Sequence, residues 1–399
     1  MRATPLGVHN PRTVRDLLLT HGWEMGQAEA AASGITGAAV YVTGLTPTTL
    51  EHLVSRSGPA YGLDVVTGRD WAILAGSMAR LSAFARPWSA LPELAELAAV
   101  TVRALGSAVP TLWQTARGPV DLERPVILGV LNVTPDSFSD GGRYSTEATA
   151  LTQAERLLEN GAHIIDVGGE STRPGRPKPV PVDEERRRVV PVVEALVRRH
   201  ADLLISVDTV KADVAKAALE TGAAIVNDVS ALRLDAGMAK VVADAKAGVI
   251  LMHSRGTVSD MASLDHADYG ASPLAEIVEE LGSSLDHAAR SGIALERVVV
   301  DPGLGFAKAT TDNLRVLDQL VALAVLGRPI LVGPSRKRFL GAATGREVDQ
   351  RDVATAAACA LAYERGARLF RVHEPGTVRD ALSLAHAIAA GPPRLTPAV

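Results

Sequence analysis

Asp208, Asn227, Asp301 and Lys337 each stand at the end of an apolar run, and together they carry the groups that hold a flat heterocycle. Carboxylates accept from adjacent N–H groups, while Lys and Asn meet ring nitrogen and oxygen acceptors. A purine or a pterin would be held this way. Asn132, Arg173, Arg371 and His373 suit a different ligand. With the Asp-, Ser- and Gly-rich stretch after Asn132 they match a phosphate or pyrophosphate, since guanidinium groups pair with phosphate oxygens. A heterocycle beside a pyrophosphate suggests a transferase that expels pyrophosphate, and Mg²⁺ is the helper expected on that leaving group.

Each residue alone has an ordinary reading. A strand-end Asp such as Asp208 commonly caps the next helix, Asn227 suits a turn, and His253 suits a hydrogen bond beneath a loop. Convergence is harder to explain in that way. Glu170, Ser171, Thr172, Asp228, Ser335 and Arg336 also follow apolar runs. Polar groups gathered in an apolar mouth are costly to desolvate unless a ligand or each other satisfies them.

The elements that must position them recur with a period of strand, polar loop, amphipathic helix and strand. Eight strands are expected at 126–132, 163–169, 203–208, 223–229, 248–253, 298–303, 329–335 and 369–374. Near-continuous apolar strands imply a parallel sheet covered on its outer side, and eight close into a (β/α)8 TIM barrel. A doubly wound sheet is the weaker alternative, because no GxGxxG follows the first strand. In a barrel all carboxyl ends meet at one mouth. The helix over 183–199 is expected to kink at Pro191.

Residues 1–118 read as a small α+β accessory domain, with strands near 38–42, 61–66 and 71–76 and helices from Pro47 and Leu91. No phosphate loop or metal-ligand spacing appears there. The Gly-, Pro- and charge-rich stretch 115–125 is the expected boundary, with the barrel over 119–399.

The chain has 399 residues, 41 Lys and Arg against 45 Asp and Glu, and a net charge of -4. That balance gives no basic footprint for nucleic acid or an anionic membrane, so the expected partner is a small molecule. One cysteine, Cys359 in an Ala-rich run, excludes a disulfide framework. Neither a signal-peptide run nor a membrane-length apolar segment is present, and the expected location is cytoplasmic.

The words LNVTPDSFSDGGR (131–143), DVGGESTRPG (166–175), SVDT (206–209), VNDVSA (226–231), DPGLGFAK (301–308), GPSRKRFLG (333–341) and RVHE (371–374) resemble the dihydropteroate synthase family over residues 121–390. The resemblance implies condensation of 6-hydroxymethyl-7,8-dihydropterin diphosphate with para-aminobenzoate to give 7,8-dihydropteroate and pyrophosphate. It further implies that Asp208, Asn227, Asp301 and Lys337 hold the pterin, with Met252 and Phe306 shaping its slot. Arg371 would lie against the pterin and serve the diphosphate. Asn132 and His373 would bind the diphosphate, Asn132 as a Mg²⁺ ligand. Asp136, Thr172 and Arg173 would order around the leaving group, and Phe138 and Pro174 would wall the aminobenzoate site. Ser335 to Arg338 would meet the aminobenzoate carboxylate.

The implied mechanism is dissociative, with Asp301, Lys337, Arg371, Asp136 and Arg173 as catalytic groups, and a homodimer and sulfonamide competition are also implied. Some positions depart from the family: Ala307 replaces a usual Gly, and Glu374-Pro375 follows His373 where Asp is common. A methyltetrahydrofolate–corrinoid methyltransferase would share pterin contacts but has no need of the diphosphate words. A catalytically silent pterin-binding or regulatory barrel, or a scaffold built on residues 1–118, are the other readings.

Overall fold

The computed structural model describes residues 2–8, 11–35, 38–77, 80–81, 84, 97, 101, 110–133, 143–170, 179–269 and 273–390. The chain divides into two compact units. The smaller comprises residues 1–109 with the segments 269–279 and 319–327, and the larger comprises the remainder.

The larger unit is a closed barrel of eight parallel strands: β7 (Val126–Asn132), β8 (Ile164–Gly168), β9 (Leu204–Asp208), β10 (Ile225–Asp228), β11 (Gly248–Met252), β12 (Val298–Asp301), β13 (Ile330–Val332) and β14 (Ala367–Val372). Pairing runs in chain order from β7 to β14, and β14 pairs with β7 to close the ring. All eight expected strands are present, each within a few residues of its expected bounds. Their Val- and Ile-rich runs are buried on both faces, which a parallel sheet requires. Helix Val182–Arg199 continues through Pro191. Helix Ala212–Thr221 stops at Gly222, whose φ of 117° is open to glycine at little cost.

The stretch expected as a linker is instead structured. Residues Leu112–Thr115 (β5) and Gly118–Asp121 (β6) form an antiparallel hairpin. Its Trp113 is wholly buried with Val126, Leu128, Ile164, Ile250, Val299, Leu331 and Leu369, plugging the amino-terminal end of the barrel. The indole N–H donates to the Arg297 carbonyl at 2.8 Å. At Gly248 a Cβ would come within 3.0 Å of the Trp113 ring, so glycine there admits the plug. The division between units therefore falls at Val109/Pro110, ahead of the boundary expected at 118, because the hairpin's apolar residues are spent on the barrel core.

The smaller unit holds an antiparallel sheet in the order β1 (Arg2–Val8), β2 (Ala38–Thr43), β4 (Trp71–Gly76), β3 (Asp64–Thr67). Val40, Val42, Ala72 and Leu74 enter one apolar cluster, and Ala39, Tyr41, Ile73 and Ala75 enter another. That alternation covers the sheet on both faces. The edge strand β1 was not expected from the sequence. Pro5 interrupts its donors, which only an edge tolerates, and its register with β2 shifts between Pro5 and Val8. The expected strand near 61–66 begins only at Asp64, since Gly58–Tyr61 is helical. The helix expected from Leu91 falls mostly outside the described residues; within it, the Thr101 hydroxyl donates to the Leu97 carbonyl.

Candidate active site

Side chains two residues apart along a strand share a face. Above the buried layer of Ile164, Ile225, Val299 and Leu369 the same face therefore presents Asp166, Asn227, Asp301 and Arg371 at the carboxyl ends. Asn132, Gly168, Asp208 and Asn227 lie in one register row across β7 to β10. The mouth thus turns polar one layer above an apolar core.

Arg371 organises this layer. Its Nε donates to Asp166 Oδ2 and its Nη2 to Asp208 Oδ2, both at 2.6 Å. Asn227 Nδ2 donates to the same Asp166 oxygen at 3.2 Å. Burial pushes the Asp208 carboxyl up to about 7, against the pull of Arg371. Burial works against the Arg371 charge as well, but Asp166 and Asp208 outweigh it and raise its pKa. Gly168 keeps the row open: a Cβ there would sit 3.5 Å from Asp208 Cβ and 3.7 Å from Asn132 Oδ1.

Asp301 ends β12 and accepts from the Gly303 N–H at 2.7 Å. Burial raises it to about 6, while that hydrogen bond, Lys308, Lys337 and Arg371 pull it down. Lys337 Nζ stands 3.9 Å over the Phe306 ring, a cation–π contact. Burial, then Arg371, lower its pKa to about 8. Its stem crosses Gly305, where a Cβ would meet Lys337 Cδ at 2.7 Å. Met252, Val210, Val229, Met261 and Phe306 form the adjoining apolar cluster.

Ala307, in the loop after Phe306, has φ +44° and is fully buried, with its N–H donating to the Met261 carbonyl at 2.8 Å. The left-handed conformation that a usual glycine would supply is thus retained at a cost. Glu374 is accounted for by its own contacts. Its carboxylate accepts from the N–H groups of Gly376 and Thr377 at 3.0 and 2.9 Å and caps helix Pro375–Ala390.

Just past β13 and β14, Ser335 Oγ and His373 Nδ1 share a hydrogen bond of 2.9 Å, and the His373 N–H donates to the same oxygen. Arg338 donates to the Ala262 carbonyl at 3.0 Å. Arg336 leaves the strand-end group, because it forms a two-pronged pair with Asp352 at 2.8 Å. Asp228 leaves it too: its carboxylate is filled by Ser230 and Leu232. Glu170 pairs with Lys211 at 2.7 Å and accepts from the Val180 N–H, which bridges residues 170 and 180. Asp136, Phe138, Thr172, Arg173 and Pro174 lie outside the described residues.

Asp166, Lys308 and Glu280, absent from the sequence-based set, belong to the site's support, whereas His253 was expected beneath a loop. Asp166 was hidden inside its strand rather than past its end. Lys308 is buried and donates to His253 Nδ1 at 2.9 Å and to the carbonyls of Gly303 and Phe306 at 3.2 and 3.0 Å. His253 Nε2 in turn meets Glu280 at 3.1 Å. Burial, then Lys308, hold His253 down near 3, so the imidazole is neutral. The Lys in DPGLGFAK was visible in sequence, but nothing there said that it points inward.

The pterin binding enzyme family matches residues 128–373. The dihydropteroate synthase of Synechocystis is 41% identical over 267 residues, covering 67% of this chain and 91% of that protein. The chain belongs to the dihydropteroate synthase family. Members are transferases of folate synthesis. A probable bifunctional folylpolyglutamate synthase/dihydropteroate synthase of Halobacterium salinarum is 40% identical over 329 residues, 81% of this chain and 39% of that one. A match of that length reaches upstream of residue 121. Among solved structures, the Xanthomonas albilineans dihydropteroate synthase with 4-aminobenzoic acid is 45% identical with TM-score 0.64, covering 69% of this chain and 96% of that one. The same enzyme with 7,8-dihydropteroate has 43% identity and TM-score 0.61, covering 69% and 97%. The Yersinia pestis enzyme in a sulfonamide complex has 36% identity and TM-score 0.65, covering 70% and 100%.

Proposed function

We propose that this dihydropteroate synthase family member condenses 6-hydroxymethyl-7,8-dihydropterin diphosphate with para-aminobenzoate by a dissociative, SN1-like route. The observation that carries the reading is the set Arg371, Asp208, Asn227, Asp301 and Lys337, brought to the carboxyl ends of four strands and one following loop, with acceptors and donors matched to a pterin edge. The site offers no activated nucleophile among the described residues; its chemistry is charge stabilisation. The methylene C–O bond breaks with its electron pair going to the diphosphate. Carboxylates at Asp301 and Asp208 oppose the positive charge that develops on the dihydropterin. The neutral arylamine then donates its lone pair to the methylene carbon, and the resulting ammonium gives its extra proton to the released pyrophosphate or to solvent. Lys337 holds ring acceptors through an ammonium fixed by Gly305 and Phe306. Ser335 sets the His373 ring for the diphosphate, and Arg338 stands for the aminobenzoate carboxylate. Asp136, Phe138, Thr172, Arg173 and Pro174 complete the leaving-group and aminobenzoate subsites.

Mg²⁺ needs oxygen ligands and usually takes only one or two from the protein, the rest coming from substrate phosphate and water. Asn132 Oδ1, beside the open Gly168 position, fits that demand. When bound, the ion would withdraw charge from the diphosphate. The molecule is cytoplasmic in this reading, and no helix among the described residues is long and apolar enough to cross a membrane. It is also a homodimer. Val353, Leu361, Leu384 and Ile388 leave an exposed apolar band on helices Asp352–Glu364 and Pro375–Ala390, which a twofold contact would cover.

The test is pyrophosphate release by purified protein with dihydropterin diphosphate, Mg²⁺ and para-aminobenzoate, each omitted in turn. Formation of dihydropteroate that needs all three supports the proposal. Pterin binding without turnover would return the silent barrel.

A further inference from the structure

Asp166 is wholly buried, and both contacts of its carboxylate run through one oxygen: Oδ2 accepts from Arg371 Nε at 2.6 Å and Asn227 Nδ2 at 3.2 Å. Its Oδ1 has no hydrogen-bond partner among the described residues. Ser206, opposite Asp166 in the β8–β9 register, carries a second such atom, its Oγ. As core filling this is a poor choice, because a buried carboxylate with a bare oxygen costs more than an apolar side chain of similar volume. Neutralising Arg371 does not require it either, since Asp208 already pairs with that guanidinium.

The two contacts nevertheless do something that neither Asp208 nor packing can do. A planar guanidinium held at Nε and at Nη2 by two carboxylates on neighbouring strands has its plane set. An amide whose Nδ2 is committed to a carboxylate must turn its Oδ1 the other way, as an acceptor. We propose that Asp166 is a positioning residue for pterin recognition, fixing the plane of Arg371 and the amide orientation of Asn227 so that Asn227 Oδ1 faces the donor edge of the ring. This rests on the proposed condensation, and goes beyond it by assigning selectivity to a residue that need not touch substrate.

The experiment uses full-length protein with dihydropterin diphosphate and Mg²⁺, in wild type, Asp166→Asn, Asn227→Ala and the double variant. Asp166→Asn is expected to raise the Kd and KM for the pterin substrate by about tenfold and leave the KM for para-aminobenzoate unchanged. Its effect should largely vanish in the Asn227→Ala background, the non-additivity expected of residues that act through one another. Equal losses for both substrates, or additive effects, would show a merely structural role and overturn the inference. Wild type that fails to bind the pterin would overturn both the inference and the function beneath it, whereas wild-type binding with an unaffected Asp166→Asn overturns the inference alone. If Asp166→Asn does not fold, the Asn227 side-chain amide is followed by NMR in wild type. A protected, hydrogen-bonded Nδ2 proton in both free and pterin-bound protein is expected, and an amide that exchanges freely in the bound protein overturns the proposal.

Discussion

Lys308 Nζ lies 2.9 Å from His253 Nδ1 in the interior, and the same ammonium reaches the carbonyls of Gly303 and Phe306. Its ammonium form has three protons to give, and these three atoms are among its acceptors. Glu280 takes the Nε2 proton of His253, which leaves Nδ1 as the acceptor. The loop beneath Lys337 is thereby tied to Glu280 through the neutral His253 ring.

Acid should loosen this tie. His253 stays neutral in the fold to about pH 3, against 6.5 for an ordinary imidazole, so the unfolded chain binds its proton first. The stability it contributes is complete above pH 6.5 and is lost as pH falls toward 3. Glu280 acts in the same direction: burial would raise its pKa, but the bonds from His253 and Arg255 hold it near 2. Urea midpoints between pH 8 and 4 should fall in wild type and fall less steeply in His253→Gln. Equal slopes would remove His253 from the account.

Lys308→Met should cost about 2–4 kcal/mol, since it removes the buried donor to the Phe306 carbonyl and to His253 Nδ1, while the Gly303 carbonyl keeps the Phe306 N–H. Denaturant unfolding measures this directly. A loss within 0.5 kcal/mol, roughly that of a surface change, would mean that the interior rearranges to satisfy them.

Gly305→Ala places a methyl group 2.7 Å from Lys337 Cδ at a φ of +80°. The Lys337 ammonium must then leave the Phe306 face. The KM for the pterin substrate should rise while that for para-aminobenzoate holds; unchanged kinetics would show that the Lys337 stem has other routes.

Ala307→Gly is expected to stabilise the protein, because the left-handed conformation costs an Ala about 1 kcal/mol more than a Gly. Part of that gain is lost to the freer unfolded chain. Activity should be unaffected. A lower melting temperature would mean that the Ala307 methyl group packs well enough to outweigh its strain.

Asp301→Asn removes the carboxylate opposed to developing positive charge while keeping the acceptor for Gly303. Turnover should fall by about 10²–10³, in line with loss of one preorganised electrostatic contact. Normal kinetics would refute the role given to Asp301.

Much of this was legible in one dimension. The period of strand, loop and helix determined the barrel, because continuous apolar runs, helical periodicity and turn chemistry are local properties. Asp208, Asn227, Asp301, Lys337, Arg371 and His373 could be picked out because barrel topology sends every strand end to one mouth. The plug was not legible: TARGPVDLERP has the composition of a linker, and only a barrel open at its lower end makes Trp113 a core residue. Arg336 and Lys337 are neighbours of the same charge, yet Asp352, sixteen residues away in sequence, draws one aside while Gly305 and Phe306 retain the other. Asp166 reads as an ordinary residue of a buried strand, and its pairing with Arg371 spans 205 positions. The sequence by itself determined the fold class and the chemical types in the mouth. Which of those groups meet, which are turned away, and which buried charge holds them in place was decided by tertiary structure, because desolvation and pairing depend on distances that closure of the barrel alone creates.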